Sequence, residues 1–237
     1  MTRRVLGVVS KLWRYPVKSM LGEDCERLEL DTRGVQGDRL FAVRNADGKL
    51  GSGKATRRFR HIDGLLAFRA VHRDGSPEIV FPDGRRMAGS DPDIHHALSQ
   101  ALAAPVTLAR EDGMPHVDSA PVHLVTSASL RWLQAALPDS RIDERRFRPN
   151  IVIDVPGTER VEQQWLGKAI RIGASAKLRI SEFTERCVMT TFAQADLPAD
   201  ARVLKCIGRD ADLQFGVYAE VLCPGTIACG DRIEEAP

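Results

Sequence analysis

Leu178-Arg-Ile-Ser-Glu-Phe-Thr-Glu-Arg-Cys187-Val-Met-Thr-Thr191 is the stretch on which the reading of this chain turns. Leu178 and Ile180 alternate with polar neighbours, the pattern of a half-buried strand. Val188 and Met189 are apolar again, and Thr190 and Thr191 are β-branched polar residues. Cys187 is therefore expected where a strand gives way to a polar turn, with the cation of Arg186 beside it. A neighbouring guanidinium favours the thiolate, and only the thiolate acts as nucleophile or metal ligand. Free cysteine is also among the most buried residue types, so simple packing competes with that reading. The rest of the chain has to decide between them.

Composition narrows the choice. A length of 237 residues corresponds to one large or two small domains. Hydrophobic residues make up 43%, enough for a substantial core, and the formal net charge of +2 argues against a general nucleic-acid or acidic-membrane binder. Basic residues cluster locally, at Arg57-Arg58-Phe59-Arg60 and Arg145-Arg146-Phe147-Arg148; such runs are usually solvated faces, but each suits a small anionic ligand. The five cysteines, Cys25, Cys187, Cys206, Cys223 and Cys229, form no C-x-x-C pair, which speaks against a zinc ribbon or a thioredoxin-type motif. An odd number without a secretory signal fits a reducing compartment. Arg3-Arg4 is followed by an apolar run too short for a signal peptide, and no stretch nears the roughly 20 apolar residues of a membrane span. The expectation is a cytoplasmic protein.

In the first part of the chain, residues 7–13 read as a strand that Pro16 breaks, leaving Lys18 and Ser19 on a turn. An ammonium and a hydroxyl beside backbone N–H groups suit a phosphate. Residues 26–30 and 39–44 read as further strands, the second beginning at Arg39, whose fork could reach the same anion as Lys18. A surface Asp38–Arg39 pair is the plainer alternative. The run Gly48-Lys-Leu-Gly-Ser-Gly53-Lys54-Ala55 resembles a nucleotide phosphate loop. Ala55 lacks the magnesium-binding hydroxyl, though, so a glycine-rich hairpin is the better reading. Residues 65–71 and 78–81 read as strands, and Ser90-Asp91-Pro92 as a helix start. His95 and His96 are adjacent and lack a third ligand at metal spacing.

In the second part, residues 105–109 and 122–126 read as strands, with His123 a packed or edge residue. Ser127 opens a helix with Leu130, Leu133 and Leu137 on one face. In Arg145-Arg-Phe-Arg-Pro-Asn-Ile-Val-Ile153 the proline starts a buried strand, and Arg148 and Asn150 flank it with an ionic fork and an amide suited to the edge of a pterin or purine. Residues 198–208 read as a short helix ended by Gly208. Residues 215–222, 224–227 and 230–233 read as strands with tight turns. The fold class is mainly β with a few helices (α+β).

Tyr15-Pro-Val-Lys-Ser19, Gly37-Asp-Arg39, Phe147-Arg-Pro-Asn150, Arg186-Cys187 and Pro224-Gly-Thr-Ile227, in that order, resemble the MOSC family of molybdenum-cofactor-binding domains. The resemblance covers almost the whole chain and includes the β-barrel domain that precedes MOSC in some members. It implies an amino-terminal β-barrel-like domain over residues 1–110 and a MOSC β-barrel over residues 111–237. Cys187 matches the family's molybdenum ligand, so the resemblance makes it both the catalytic and the metal residue. Lys18, Ser19 and Arg39 match positions at the cofactor's terminal phosphate. Arg148 and Asn150 match positions at the pterin, and Arg186 adjoins the metal ligand. The implied cofactor is Mo-molybdopterin, held between the domains. The implied activity is two-electron reduction of N-hydroxylated bases, as in amidoxime-reducing relatives. No flavin, haem or iron–sulfur motif is visible, so electrons would come from a separate reductase of flavin, cytochrome b5 or ferredoxin type. The alternative is a carrier or sulfur-transfer module for the cofactor. The chain departs from the family at Thr184, where relatives often carry a second cysteine, and at Glu185, where a small hydroxyl is usual; a carboxylate so close to the metal ligand is expected to alter substrate choice or the redox potential.

Overall fold

Alternating β-branched and polar residues make strand the dominant regular element of this chain, and the computed structural model describes residues 4–236. Before the first helix come β1 (Val5–Arg14), β2 (Glu23–Cys25), β3 (Arg27–Asp31), β4 (Gly34–Val35), β5 (Phe41–Asn45), β6 (Leu50–Ser52), β7 (Phe59–His61), β8 (Arg69–Arg73), β9 (Ser76–Val80) and β10 (Arg86–Ala88). Helix α1 (Ile94–Ala101) leads to β11 (Val106–Arg110), β12 (Val122–Thr126), α2 (Ser127–Ala136), β13 (Ile151–Asp154), β14 (Ala169–Ile172) and β15 (Ala176–Glu185). The chain closes with α3 (Ala201–Ala211), β16 (Gln214–Cys223), β17 (Gly225–Ala228) and β18 (Arg232–Glu235).

Seven of these strands form a closed barrel in the order β13-β12-β16-β15-β14-β18-β1, and β1 returns to β13. Closure leaves no open edge among those strands. The first strand therefore completes a barrel built otherwise from the second half of the chain. Its pairs Val9↔Ile153 and Leu12↔Ile151 lie on either side of a register shift between Val9 and Lys11. Such a bulge sharpens the local twist of β1, which also pairs with β18 and β2. Val9, Leu12, Ile151, Ile153, Leu178, Ile180, Val217 and Ile233 fill the interior and are essentially inaccessible. Burying each such aliphatic side chain is worth about 1.5–3 kcal/mol before the entropy of ordering it. Between the parallel strands β12 and β13, α2 is capped by Thr126, whose hydroxyl accepts from Ser129 N at 3.1 Å.

A smaller barrel-like body wraps Val43, Phe68, Ile79, Ile94 and Leu98. Its two sheets, β11-β5-β6-β7 and β10-β9-β8, are joined by bridges from residues 17 and 21 to Phe41 and Arg69. The fold is thus mainly β, as expected. Several local expectations change. Arg39 is not the start of a strand but a left-handed turn residue with φ 48°, and β5 begins two residues later. Leu65–Ala67 is a 3-10 turn, leaving only the end of the expected strand as β8. Helix α3 runs through Gly208 and ends at Asp212 in left-handed geometry, because burial of Val203, Cys206, Ile207 and Ala211 on both sides of it outweighs the roughly 1 kcal/mol that a glycine costs inside a helix. Among the described residues no helix is long and apolar enough to cross a membrane.

Candidate functional site

The inward-facing positions of β15 are Ala176, Leu178, Ile180 and Thr184, all buried. Arg186 N still bonds Leu213 O at 2.7 Å, and there the pairing with the β16 end stops. Cys187 is extended, with φ −129° and ψ 179°, and heads the 3-10 turn Val188–Thr191. Its carbonyl accepts from Thr190 N at 3.1 Å and from the Thr190 hydroxyl at 3.0 Å. Backbone bonds on both sides thus hold the half-buried, free thiol where the strand becomes a turn.

That thiol lies on the wall of a cleft of about 230 Å³. Six basic residues, Lys18, Arg39, Lys54, Arg146, Arg148 and Arg186, line it against two acidic ones, Asp118 and Glu185. Tyr15 is the platform for two of the guanidinium groups. Its ring is buried, with Arg148 Cζ 4.2 Å and Arg39 Cζ 4.9 Å from the ring centre. Asp38, also buried, accepts from Tyr15 N at 2.7 Å and pairs with Arg39 Nη1. Arg39 Nη2 donates to Arg148 O at 3.0 Å, and Arg148 Nη1 to Met20 O at 2.5 Å. Burial and the adjacent Arg39 push Arg148 down to about 10, which leaves it cationic at neutral pH. Arg148 Nη2 and Arg186 Nε are buried without a protein partner. Donors like these are costly to leave unmet, and an anionic ligand in the cleft would meet them.

Ser19, Arg39 and Arg148 have φ of 65°, 48° and 55°. Left-handed non-glycine residues are uncommon, and strained backbone gathers at functional sites; three of them converge on one cleft here. Lys18 Nζ bonds Asp118 Oδ1 at 2.8 Å, its side chain 6% exposed against 49% for the carboxylate. Burial pushes the Lys18 ammonium down, and Asp118 partly offsets this.

Not every expected residue presents a free group. The Ser19 hydroxyl donates to Gly51 O at 3.0 Å, so the proton an anion would need is already committed. Asn150 is fully buried and absent from the cleft wall. Its Oδ1 accepts from His123 N at 3.1 Å and its Nδ2 donates to Trp13 O at 3.3 Å, so it braces the cleft from behind. Arg186 Nη2 donates to Phe147 O at 2.7 Å, and Nη1 faces His123 Nε2 at 3.4 Å. Guanidinium can only donate, so His123 Nε2 is the acceptor and Nδ1 carries the proton toward Arg148 O at 3.4 Å. Burial, then Arg186, keeps that imidazole neutral.

Sequence reasoning missed Lys54, Asp118, His123 and Tyr218 on the wall. Lys54 belongs to the glycine-rich run set aside as a nucleotide loop, so its charge was the available signal. Nothing local marks Asp118, which comes from a polar loop far along the chain. Among the described residues no three His, Cys, Asp or Glu side chains gather as a metal site. A metal at Cys187 has to bring most of its ligands with it.

A family model described as the MOSC domain matches residues 92–234, and one described as the MOSC N-terminal beta barrel domain matches residues 6–74. The mouse mitochondrial amidoxime-reducing component 1 is 25% identical over 285 residues, spanning 96% of this chain and 82% of that protein. The crystal structure of the YuaD protein of Bacillus subtilis has the same fold, with a TM-score of 0.51 at 13% identity over 99% of this chain and 97% of that one.

Proposed function

This chain belongs to the MOSC domain family, and on that premise we propose that it is a molybdenum-cofactor-dependent oxidoreductase that reduces N-hydroxylated bases. One observation carries the reading: the Cys187 thiol shares a single cleft with Lys18, Arg39, Arg148 and Arg186. A soft sulfur ligand suits a metal that arrives on its own dithiolene, and a cluster of buried cations suits the phosphate of the group that carries it. The unmet donors Arg148 Nη2 and Arg186 Nε fit such an anion.

In this proposal Cys187 would hold the metal, and the ammonium of Lys18 and the guanidinium of Arg39 would hold the terminal phosphate. Arg148 and Arg186 would bind the pterin, with Asn150 fixing the loop behind them. The bound cofactor supplies the two-electron chemistry. The net reaction takes an N–OH compound, two electrons and two protons to the N–H compound and water. Electrons come from a separate reductase, and a reducing compartment such as the cytoplasm keeps the thiol free. We also propose that the chain divides near residue 110 into two bodies, the first lending β1 to the second.

The test is reduction of an amidoxime by cofactor-loaded protein with an artificial electron donor, and loss of turnover in Cys187→Ala. Turnover that survives in the variant overturns the thiolate-ligand reading. Absence of turnover, with a purified acceptor enzyme activated on mixing, replaces it by the carrier reading.

A further inference from the structure

The two cations expected at the phosphate are each already matched by a carboxylate: Lys18 pairs with Asp118 at 2.8 Å, and Arg39 pairs with Asp38. A phosphate monoester carries roughly two negative charges near pH 7, so these pairs leave most of its charge unbalanced. The Ser19 hydroxyl is also spent, since its proton goes to Gly51 O at 3.0 Å. Phosphate oxygens need donors, and Ser19 has only lone pairs left to offer. The segment that ends β6 and follows it supplies both missing groups. Ser52 is the last residue of β6 and lines the cleft while only 3% exposed. Its hydroxyl makes no hydrogen bond among the described residues and is not sealed in the interior, so it is reachable from the cleft. Lys54 lines the same cleft and has no carboxylate partner among the described residues.

Local structure holds these two groups in place. Gly53, between them, donates its N–H to Met189 Sδ at 3.2 Å, and a Cβ on Gly53 would collide with the side chains of Phe192 and Met189. Glycine thus lets the segment approach the turn after Cys187 closely, with a cleft-lining residue on either side of the contact. Lys54 Nζ lies 4.8 Å and Lys18 Nζ 5.1 Å from the centre of the Phe59 ring, so the two ammoniums share one platform. Asp118 shows what an anion meets there. Burial would raise its carboxyl, but Lys18, then Arg39 and Lys54, hold it far below the usual carboxylate range. We propose that Ser52 and Lys54 complete the phosphate subsite beside Lys18, with Ser52 as the hydroxyl donor in the role that the family resemblance gives to Ser19. The inference rests on the cofactor reading above and deepens it. The ligand it assigns to this segment is a phosphomonoester, held by one uncommitted hydroxyl and one unpaired ammonium.

Inorganic phosphate is the probe, followed by phosphorus NMR titration of the cofactor-free protein, with thermal melting to confirm folding. Ser52→Ala and Lys54→Met should each raise the dissociation constant by about fivefold or more, as loss of one hydrogen bond to a charged group implies. Ser19→Ala should leave it within about twofold, because the proton it removes already belongs to Gly51 O. Ser52→Thr keeps the hydroxyl and Lys54→Arg keeps the charge, so both should bind nearly as wild type does, a rescue that a merely structural role would not require. A folded Ser52→Ala or Lys54→Met protein with wild-type phosphate affinity overturns the proposal. So does a Ser19→Ala protein weakened more than both, or a wild type that binds no phosphate. Pterin content of protein from a cofactor-producing host then ties the subsite to the cofactor. The Ser52→Ala/Lys54→Met double variant should lose pterin along with phosphate affinity. Weakened phosphate binding with wild-type pterin content would leave a subsite for free phosphate and overturn the cofactor assignment. If the variants behave as expected but pterin-loaded wild type reduces no amidoxime, the subsite stands and the reductase reading falls. Amidoxime turnover with phosphate affinity unmoved by the variants has the opposite meaning.

Discussion

Asp118→Asn is expected to tighten the cationic cleft's hold on phosphate. Lys18 Nζ and Asp118 Oδ1 are 2.8 Å apart, with the lysine side chain 6% and the carboxylate 49% exposed. At that separation the attraction is about 6 kcal/mol for an effective dielectric of 20 and about 1.5 kcal/mol in water. With one partner half in water, the net value falls in the range of about 1.5–3 kcal/mol typical of a charged hydrogen bond. Any anion that takes Lys18 has to give up that contact or share it with a like charge. Burial alone would raise the Asp118 carboxyl, but the charge and hydrogen bond of Lys18 hold it far below the usual carboxylate range. The competitor is thus ionised throughout the neutral range. The amide variant should lower the dissociation constant for inorganic phosphate by about 10- to 100-fold, the equivalent of about 1.4–2.8 kcal/mol. Phosphorus NMR titration of the cofactor-free protein at pH 6.5 measures it. Lys18 loses its supporting carboxylate in the variant, so the gain should shrink as pH rises and that ammonium deprotonates. In a Lys18→Met background the gain should disappear. An unchanged or weaker phosphate affinity in Asp118→Asn refutes the reasoning.

Two further outcomes follow from the geometry. His116 is fully buried, its Nε2 faces Arg44 Nη2 at 3.0 Å, and burial, then Arg44, pushes it down to about 4. The unfolded chain then binds this proton near pH 6.5 while the fold resists it, so the contribution is whole above pH 6.5. It declines by about 3 kcal/mol as pH falls to about 4; in urea titrations His116→Gln should flatten the stability–pH slope across that window, and an unaltered slope contradicts the assignment. Gly53→Ala should cost about 1–3 kcal/mol, because a Cβ there would overpack against the side chains of Phe192 and Met189, and a melting temperature equal to wild type would show that those side chains yield freely.

How much of this was legible beforehand differs residue by residue. The turn at Cys187 could be read locally, because apolar alternation through Leu178 and Ile180 stops where the polar residues begin. The phosphate-type turn at Lys18 could be read from Pro16. The closure of the barrel could not: β1 meets β13 across more than 130 residues, and nothing in either strand specifies so distant a partner. Arg39 looked like a strand residue because Leu-Phe-Ala-Val follows it, yet Arg39 N bonds Tyr15 O at 2.7 Å and the backbone turns left-handed there. Asn150 has the right chemistry for a ligand, but its amide is committed to the backbone of Trp13 and His123. Such commitment depends on tertiary partners, as does the placing of Asp118 against Lys18, a hundred residues away. Residue type was therefore a better guide to which loops meet than to which atoms remain free.

The central claim is that the Cys187 thiol anchors a cofactor-borne molybdenum in the cleft lined by Lys18, Arg39, Arg148 and Arg186. Its most direct test is the molybdenum and pterin content of the protein purified from a cofactor-producing host, measured beside Cys187→Ala. The account predicts near-stoichiometric metal and pterin in wild type, with metal lost from the variant. Equal molybdenum in both proteins, or neither component in wild type, contradicts it.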